Sequence, residues 1–320
     1  MKQTTSHILM VRPSSFGYNE QTAGNNAFQT NDQKWSKEEV RKKAIGEFDG
    51  FAAALREKGV DVIVMQDPER PEKPDAVFPN NWVTFHEDGT VILYPMYAPL
   101  RRLERNDAFL DAIAERFLVK RRLHLDYLEA KEIFLEGTGS LILDRKNRLA
   151  YACLSPRTNP ILLDEFCKEM DYDPVLFTAV DGAGKDIYHT NVMMALGETF
   201  VVICMDSVPD PEDKALLYHR FDETGKEIIE ITLDQMLRFA GNMLQVGTKS
   251  GSPLLVMSAQ AYQSLRPDQI ERLKKHTDLL SVPIETIETY GGGSARCMMA
   301  EVFLPEKAPV AKLGVEKLNT

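Results

Sequence analysis

The sequence predicts an α/β fold made of repeated strand–strand–helix–strand units set around an axis. Two observations predict it. The first is self-similarity. Four segments share one order of features: a polar or glycine-bearing start, a strand, a turn and a second strand. They are NNWVTFHEDGTVILYPM from Asn80, GTGSLILDRKNRLAYACLS from Gly137, HTNVMMALGETFVVICMDS from His189 and GNMLQVGTKSGSPLLVMSA from Gly241. Their starts lie roughly 50–57 residues apart, the spacing of a supersecondary repeat. A shorter fifth segment, GGGSARCMMAEVFLP from Gly291, holds only the first strands. The second observation is that helical stretches fill the gaps and lead into further strands.

Each element has a local reason. The N-terminal SHILMVRP reads as a strand able to close the circle with the fifth segment. Ser36 and Glu39 form a capping-box pattern, and Val40, Ala44, Phe48, Ala52 and Leu55 recur near the helical period, so 36–59 reads as a helix ending at Gly59. A strand at 60–64 follows. Helices are predicted at 104–117, 160–170, 212–223 and 267–276, and strands at 175–180, 227–232 and 282–287. Glu87-Asp88-Gly89, Lys146-Asn147 and Leu196-Gly197-Glu198 each separate two β-rich runs, a hairpin signal. One unit alone cannot cover its own apolar faces; neighbours in a ring bury them together. The ring leaves a central mouth where the starts of the first strands converge. Residues 1–305 read as one catalytic domain and 306–320 as a loosely held tail. The alternative is an irregular α/β sheet with accidental spacing.

The apolar content is 43% and the charged content 27%, an ordinary globular balance. The net charge is −10 and no Lys/Arg-rich run stands out, which argues against nucleic acid or an anionic membrane as partner. A small cationic substrate remains compatible. No stretch approaches the roughly 18–20 apolar residues of a membrane helix. Four cysteines in a sequence this long are no disulfide framework, so a reducing cytoplasm is expected.

Unusual residues gather at the starts of the repeats: Asp75 and Asn81, then Glu136, then His189 and Asn191, then Cys297 after three glycines. In a ring these starts share one mouth, which is how a nucleophile, a base and an orienting carboxylate distant in sequence can meet. Cys153, Cys167 and Cys204 lie in apolar runs and read as core. Cys297 has glycines on one side and Arg296 beside it, and backbone amides and a cation lower a thiol pKa. These local features leave Cys297 open between a nucleophile and a core thiol, and His189 open between a catalytic and a structural histidine. The Cys/His spacing shows no tight metal-ligand cluster, so no metal is expected.

At these residues the sequence resembles the guanidino-group modifying enzymes, a superfamily that includes arginine deiminases, dimethylarginine dimethylaminohydrolases, succinylarginine dihydrolases and amidinotransferases. VRPSSFGYNEQTAGNNAFQ, DAVFPNNW, LEGTGS, SPRTN, YHTNV and the Gly-rich segment before Cys297 carry the likeness, which runs from about Ile8 to Pro305. The amidinotransferase-like, citrulline-utilisation branch is the most similar. The resemblance implies a five-bladed α/β propeller (pentein) and a cysteine-dependent hydrolase without a cofactor. It gives Cys297 the nucleophile's role, His189 the acid/base role and Glu136 the carboxylate that holds the imidazole and favours its charged form. Asp75 becomes a substrate contact, and Arg101 and Arg157 become grips for an α-carboxylate. Asn81 and Asn191 stand where arginine-processing relatives carry Asp. They favour a neutral ureido substrate, with citrulline to ornithine the reading, and arginine deimination, dimethylarginine hydrolysis and amidino transfer the alternatives. A non-catalytic amino-acid-binding ring is the reading from a different class. The expected partner is a small arginine- or citrulline-like molecule, with room for a homo-oligomer.

Overall fold

The computed structural model describes residues 1–24, 26, 28–31 and 34–308. The strands are β1 (His7–Arg12), β2 (Asp61–Gln66), β3 (Val83–Phe85), β4 (Thr90–Leu93), β5 (Arg121–His124), β6 (Ile142–Asp144), β7 (Leu149–Cys153), β8 (Asp173–Phe177), β9 (Met194–Leu196), β10 (Phe200–Ile203), β11 (Glu227–Glu230), β12 (Leu244–Gly247), β13 (Pro253–Ser258), β14 (Asp278–Val282) and β15 (Ala300–Glu301). They form five three-stranded sheets, ordered β15-β1-β2, β3-β4-β5, β6-β7-β8, β9-β10-β11 and β12-β13-β14. In every sheet the middle strand runs antiparallel to one neighbour and parallel to the other. The antiparallel pairs within β3–β14 are closed by short turns; each parallel pair needs a crossover, and a helix supplies it.

The crossover helices follow from their caps. Lys37–Glu57 begins at Ser36, whose hydroxyl accepts from the Glu39 N–H while Glu39 accepts from the Ser36 N–H, and it buries Val40, Ala44, Phe48, Phe51, Ala52 and Leu55. Pro160–Met170 and Pro211–Glu223 each start with a proline at the first turn behind an Asn159 or Asp210 cap. One expected strand is corrected. The segment at 282–287 is not a strand: β14 lies earlier, at Asp278–Val282, and Glu285–Gly291 is helical. β14 stops at Val282, directly before Pro283 and the turn into that helix. Pro174 is accepted inside β8 because β8 is the outer strand of its sheet.

Side-chain alternation ties neighbouring sheets together. Ile8 and Met10 of β1 pack with Leu254 and Val256 of β13, while Leu9 and Val11 pack with Val91 and Leu93 of β4. Ile92 points the other way, to Ala150 and Ala152 of β7. Tyr151 and Cys153 then pack with Val201 and Val202 of β10, and Leu255 and Met257 join the same cluster. β1, β4, β7 and β13 follow the period-2 rule and feed a different cluster on each face, whereas β10 is buried on both faces in one cluster. Beyond Pro305, Phe117 bridges Glu306 and the Lys307 N–H donates to the Arg116 carbonyl; residues 309–320 lie outside the described residues. Among the described residues no helix is long and apolar enough to cross a membrane.

Four of the five sheets are preceded by a short helical turn just before the antiparallel first strand: Pro79–Asn81, Gly137–Ser140, Thr190–Met193 and Ala295–Met298. The first of these turns touches the second and the fourth, and the second touches the third. That contact gathers the residues singled out in the sequence.

Candidate active site

Glu136 sits directly ahead of the Gly137–Ser140 turn, fully buried. Its N–H donates to the Arg157 carbonyl at 3.2 Å, which ties it to the SPRTN loop. Gly137 takes φ of +45°, and a Cβ there would lie 2.4 Å from the Asn80 carbonyl oxygen, so only glycine lets these two turns meet. The Glu136 carboxylate accepts the Tyr97 N–H at 2.8 Å on Oε1. On Oε2 it meets His189 Nε2 at 2.7 Å and Arg157 Nη1 at 3.5 Å. Burial alone would raise its pKa; Arg157, the hydrogen bond from His189 and Arg101 outweigh burial and hold it below the usual carboxylate range.

His189 is 3% exposed, and its ring lies 4.8 Å from that of Tyr188. Burial lowers its pKa to about 4, against the pull of Glu136 and reinforced by Arg157 and Arg101. Glu136 pulls toward the charged imidazole, as expected, but that pull is outweighed. One carboxylate does not offset burial plus two guanidinium groups. With Glu136 ionised and Nε2 facing it, the proton resides on Nε2 and Nδ1 is the acceptor.

Cys297 lies in the Ala295–Met298 turn, 6% exposed. Its Sγ receives the Asn242 Nδ2 at 3.3 Å and the Asn191 Nδ2 at 3.5 Å. The cation expected from sequence takes other partners: Arg296 is buried and donates to the Met299 carbonyl and to Glu301. Glu301, on β15, supplies the opposite charge that a buried guanidinium requires. At the core thiols Cys153 and Cys204, burial outweighs the nearby hydrogen-bond donors and pushes the pKa up to about 12 and about 11.

Asp75, Asn81, Arg101, Arg157, His189 and Cys297 all line one small, partly open cavity. Glu136 stands behind His189 and Asn191 behind Cys297, so all eight candidate residues converge on one place. Arg101 spends most of its donors inside the protein: Nε and Nη2 on the two Glu104 oxygens at 2.8 and 2.9 Å, Nη1 on Asn81 Oδ1 at 2.9 Å. Asp75 takes Asn19 Nδ2 at 2.7 Å on Oδ2, while its buried Oδ1 has no protein partner. Asn81 Nδ2 and Asn191 Oδ1 are likewise buried and unpartnered. Buried polar atoms seldom stay unsatisfied; of these residues Asp75 and Asn81 line the cavity, which leaves one acceptor and one donor there for a ligand.

Sequence reading missed Asn242, Glu104 and Asn19. Asn242 had a legible signal: it is the second residue of the fourth repeat, as Asn81 is of the first. Glu104 and Asn19 had none. Among the described residues no three His, Cys, Asp or Glu side chains are grouped to hold a metal ion.

No curated protein sequence matches significantly. Among solved structures, the protein is similar to the apo form of ArgZ, an arginine dihydrolase from the ornithine–ammonia cycle in cyanobacteria, with a TM-score of 0.73 and 18% identity. The match covers 95% of this protein but 41% of that one, so it spans less than half of ArgZ. Against the N-terminal domain of ArgZ alone, in a cysteine-to-serine variant bound to substrate, the TM-score is 0.72 over 93% of this protein and 98% of that one, at 18% identity. A dimethylarginine dimethylaminohydrolase, in a histidine-to-glycine variant captured as an adduct with S-methyl-L-thiocitrulline, aligns at a TM-score of 0.62 and 16% identity over 93% and 99% of the two proteins. These likenesses establish a shared α/β fold. The sequence itself matches the family described as "N,N dimethylarginine dimethylhydrolase, eukaryotic" over residues 12–304, so the chain belongs to that family, a pentein-superfamily group of hydrolases acting on guanidino carbon–nitrogen bonds.

Proposed function

We propose that this protein hydrolyses a carbon–nitrogen bond in the amidino or ureido group of an arginine-like amino acid through a covalent Cys297 intermediate. The observation that carries the reading is the convergence of Cys297 and His189 on one cavity, with Glu136 2.7 Å behind the imidazole. The five sheets, each sharing a core with the next, support a closed five-bladed propeller within one catalytic domain at 1–305.

The steps follow from the side chains. Cys297 passes its proton to His189 Nδ1 and the sulfur attacks the central carbon of the amidino or ureido group. A C–S bond forms and the C=N or C=O π pair moves to the heteroatom. Collapse of the tetrahedral species breaks a C–N bond, and His189 returns the proton to the departing amine. Water then gives a proton to His189 and attacks the thiouronium or thiocarbamate carbon, and the sulfur leaves. Glu136 stabilises the imidazolium that exists between these transfers and fixes its tautomer.

The finer reading is a ureido substrate, with citrulline to ornithine preferred over arginine. In the cavity, Asn81 Nδ2 is a free donor that suits a carbonyl oxygen, and Asp75 Oδ1 is a free acceptor that suits an N–H group. A guanidinium offers donors only. The likeness to ArgZ, an arginine dihydrolase, supports arginine itself as the alternative substrate. The test is amine and ammonia release over arginine, citrulline, methylarginines, succinylarginine and agmatine, with Cys297→Ala as control. Turnover of none of them by the parent would overturn the proposal. Equal turnover of agmatine, which lacks the α-carboxylate, would remove Arg101 and Arg157 from the substrate grip.

A further inference from the structure

We propose that Asn242 is the residue that holds the Cys297 sulfur in its attacking form, by donating a hydrogen bond to it from the fourth repeat unit. The inference rests on Cys297 being the nucleophile. Its evidence is independent of which substrate is cleaved.

The orientation of the amide is fixed by its partners. Asn242 Oδ1 accepts the Arg296 N–H at 3.1 Å, and a backbone N–H can only donate. The Nδ2 group must then face the other way. There it meets the Asn191 carbonyl oxygen at 2.9 Å, which can only accept, and Cys297 Sγ at 3.3 Å. The two N–H bonds of this one group serve those two acceptors. Asn191 adds its own Nδ2 at 3.5 Å. A thiolate gains from both donors. A thiol gains less, because its neutral sulfur accepts weakly and the one hydrogen bond it can donate, to Asn242 Oδ1, is long at 3.7 Å. The arrangement therefore discriminates between the two states of the sulfur in favour of the reactive one.

The backbone around Asn242 is built to deliver it. Phe239 is a non-glycine residue at φ of +61°, an unfavourable conformation kept only where surroundings enforce it, and the Asn242 N–H closes the turn onto the Phe239 carbonyl at 2.8 Å. A Cβ on Gly241 would lie 2.3 Å from the Val192 carbonyl oxygen, so the loop presses backbone to backbone against the turn that follows His189. Asn242 is 1% exposed. It links the third unit through Asn191, the fourth through its own loop and the fifth through Cys297. The catalytic cysteine is thus positioned by a unit that supplies neither the acid/base nor the carboxylate.

The test is the rate of Cys297 alkylation by a haloacetamidine, followed by intact mass across a pH series, together with kcat and KM on the best substrate. Asn242→Asp keeps the shape, removes the donor and sets a carboxylate against the sulfur. We expect alkylation at neutral pH to fall about ten- to a hundredfold, the value of a hydrogen bond to a charged group. The profile should move to higher pH, and kcat should fall with KM little changed. Asn242→Ala should show the same displacement to a smaller extent, with a circular-dichroism spectrum and melting profile that report folding. An Asn242→Asp or Asn242→Ala protein that folds and alkylates with the parent's pH profile overturns the assignment. If parent Cys297 itself fails to alkylate while other thiols do, the nucleophile reading fails and this inference with it.

Discussion

His189 Nε2 lies 2.7 Å from Glu136 Oε2, and both side chains are removed from water. The pair spans two repeat units more than fifty residues apart. Its first consequence concerns pH. Burial leaves the imidazole neutral, with its pKa lowered from 6.5 to about 4. An unfolded polypeptide binds a proton there in the window between those values and the folded protein does not. Stability from this group is therefore complete above about pH 6.5 and is lost as pH falls toward 4, an upper bound of about 3 kcal/mol. Denaturation midpoints at pH 7 and pH 4.5 should differ more for the parent than for His189→Gln. Equal differences would contradict the neutral, buried state.

Cys297→Ala should fold, because a small side chain replaces another in a closed turn, and should lose turnover. Activity within about tenfold of the parent, a loss of about 1.4 kcal/mol, would remove Cys297 from the nucleophile's role. His189→Ala should also lose turnover, and an adduct on Cys297 that persists by intact mass would place His189 in the water-activating step.

Gly139 should resist any side chain. A Cβ there would lie 2.3 Å from Asn81 Nδ2 and 2.8 Å from His189 Nδ1. Gly139→Ala therefore displaces the His189 imidazole and the Asn81 amide together. The expected stability cost is about 1–3 kcal/mol from overpacking. The expected loss in kcat is roughly a hundredfold or more, because misplacement near 1 Å costs that much. An active Gly139→Ala enzyme with unchanged kcat would show that His189 is not where the chemistry occurs.

Substrate choice should follow Asn81. Asn81→Asp keeps the acceptor that Arg101 uses but removes the free donor at Nδ2. It should lower kcat/KM for citrulline relative to arginine by about ten- to a hundredfold, the value of a mismatched buried hydrogen bond of about 1–3 kcal/mol. Asn191→Asp should push the ratio the same way but also slow both substrates, since Asn191 donates to Cys297. A parent enzyme with higher kcat/KM on arginine than on citrulline would defeat the ureido preference and leave the Cys297 chemistry standing.

The sequence by itself determined the repeat, the hairpins and the strong helices. These signals are local: the Ser36–Glu39 cap, Pro160 at a first turn and the glycine at Gly89 act over a few residues. It also placed the unusual residues at the starts of first strands, because strand starts are where polar side chains interrupt apolar runs. The strand expected at 282–287 went astray because its apolar residues suit a short helix once the ladder has stopped at Val282. Only the tertiary structure decided what each side chain does. Arg296, adjacent to Cys297 in sequence, spends its charge on Glu301, while Asn242, fifty-five positions away, reaches the sulfur. Arg101 is engaged by Glu104 and Asn81. His189 is neutral despite its carboxylate, because its pKa sums burial against every charge around it. Such sums depend on distances through space, and a linear pattern of residue types does not contain them.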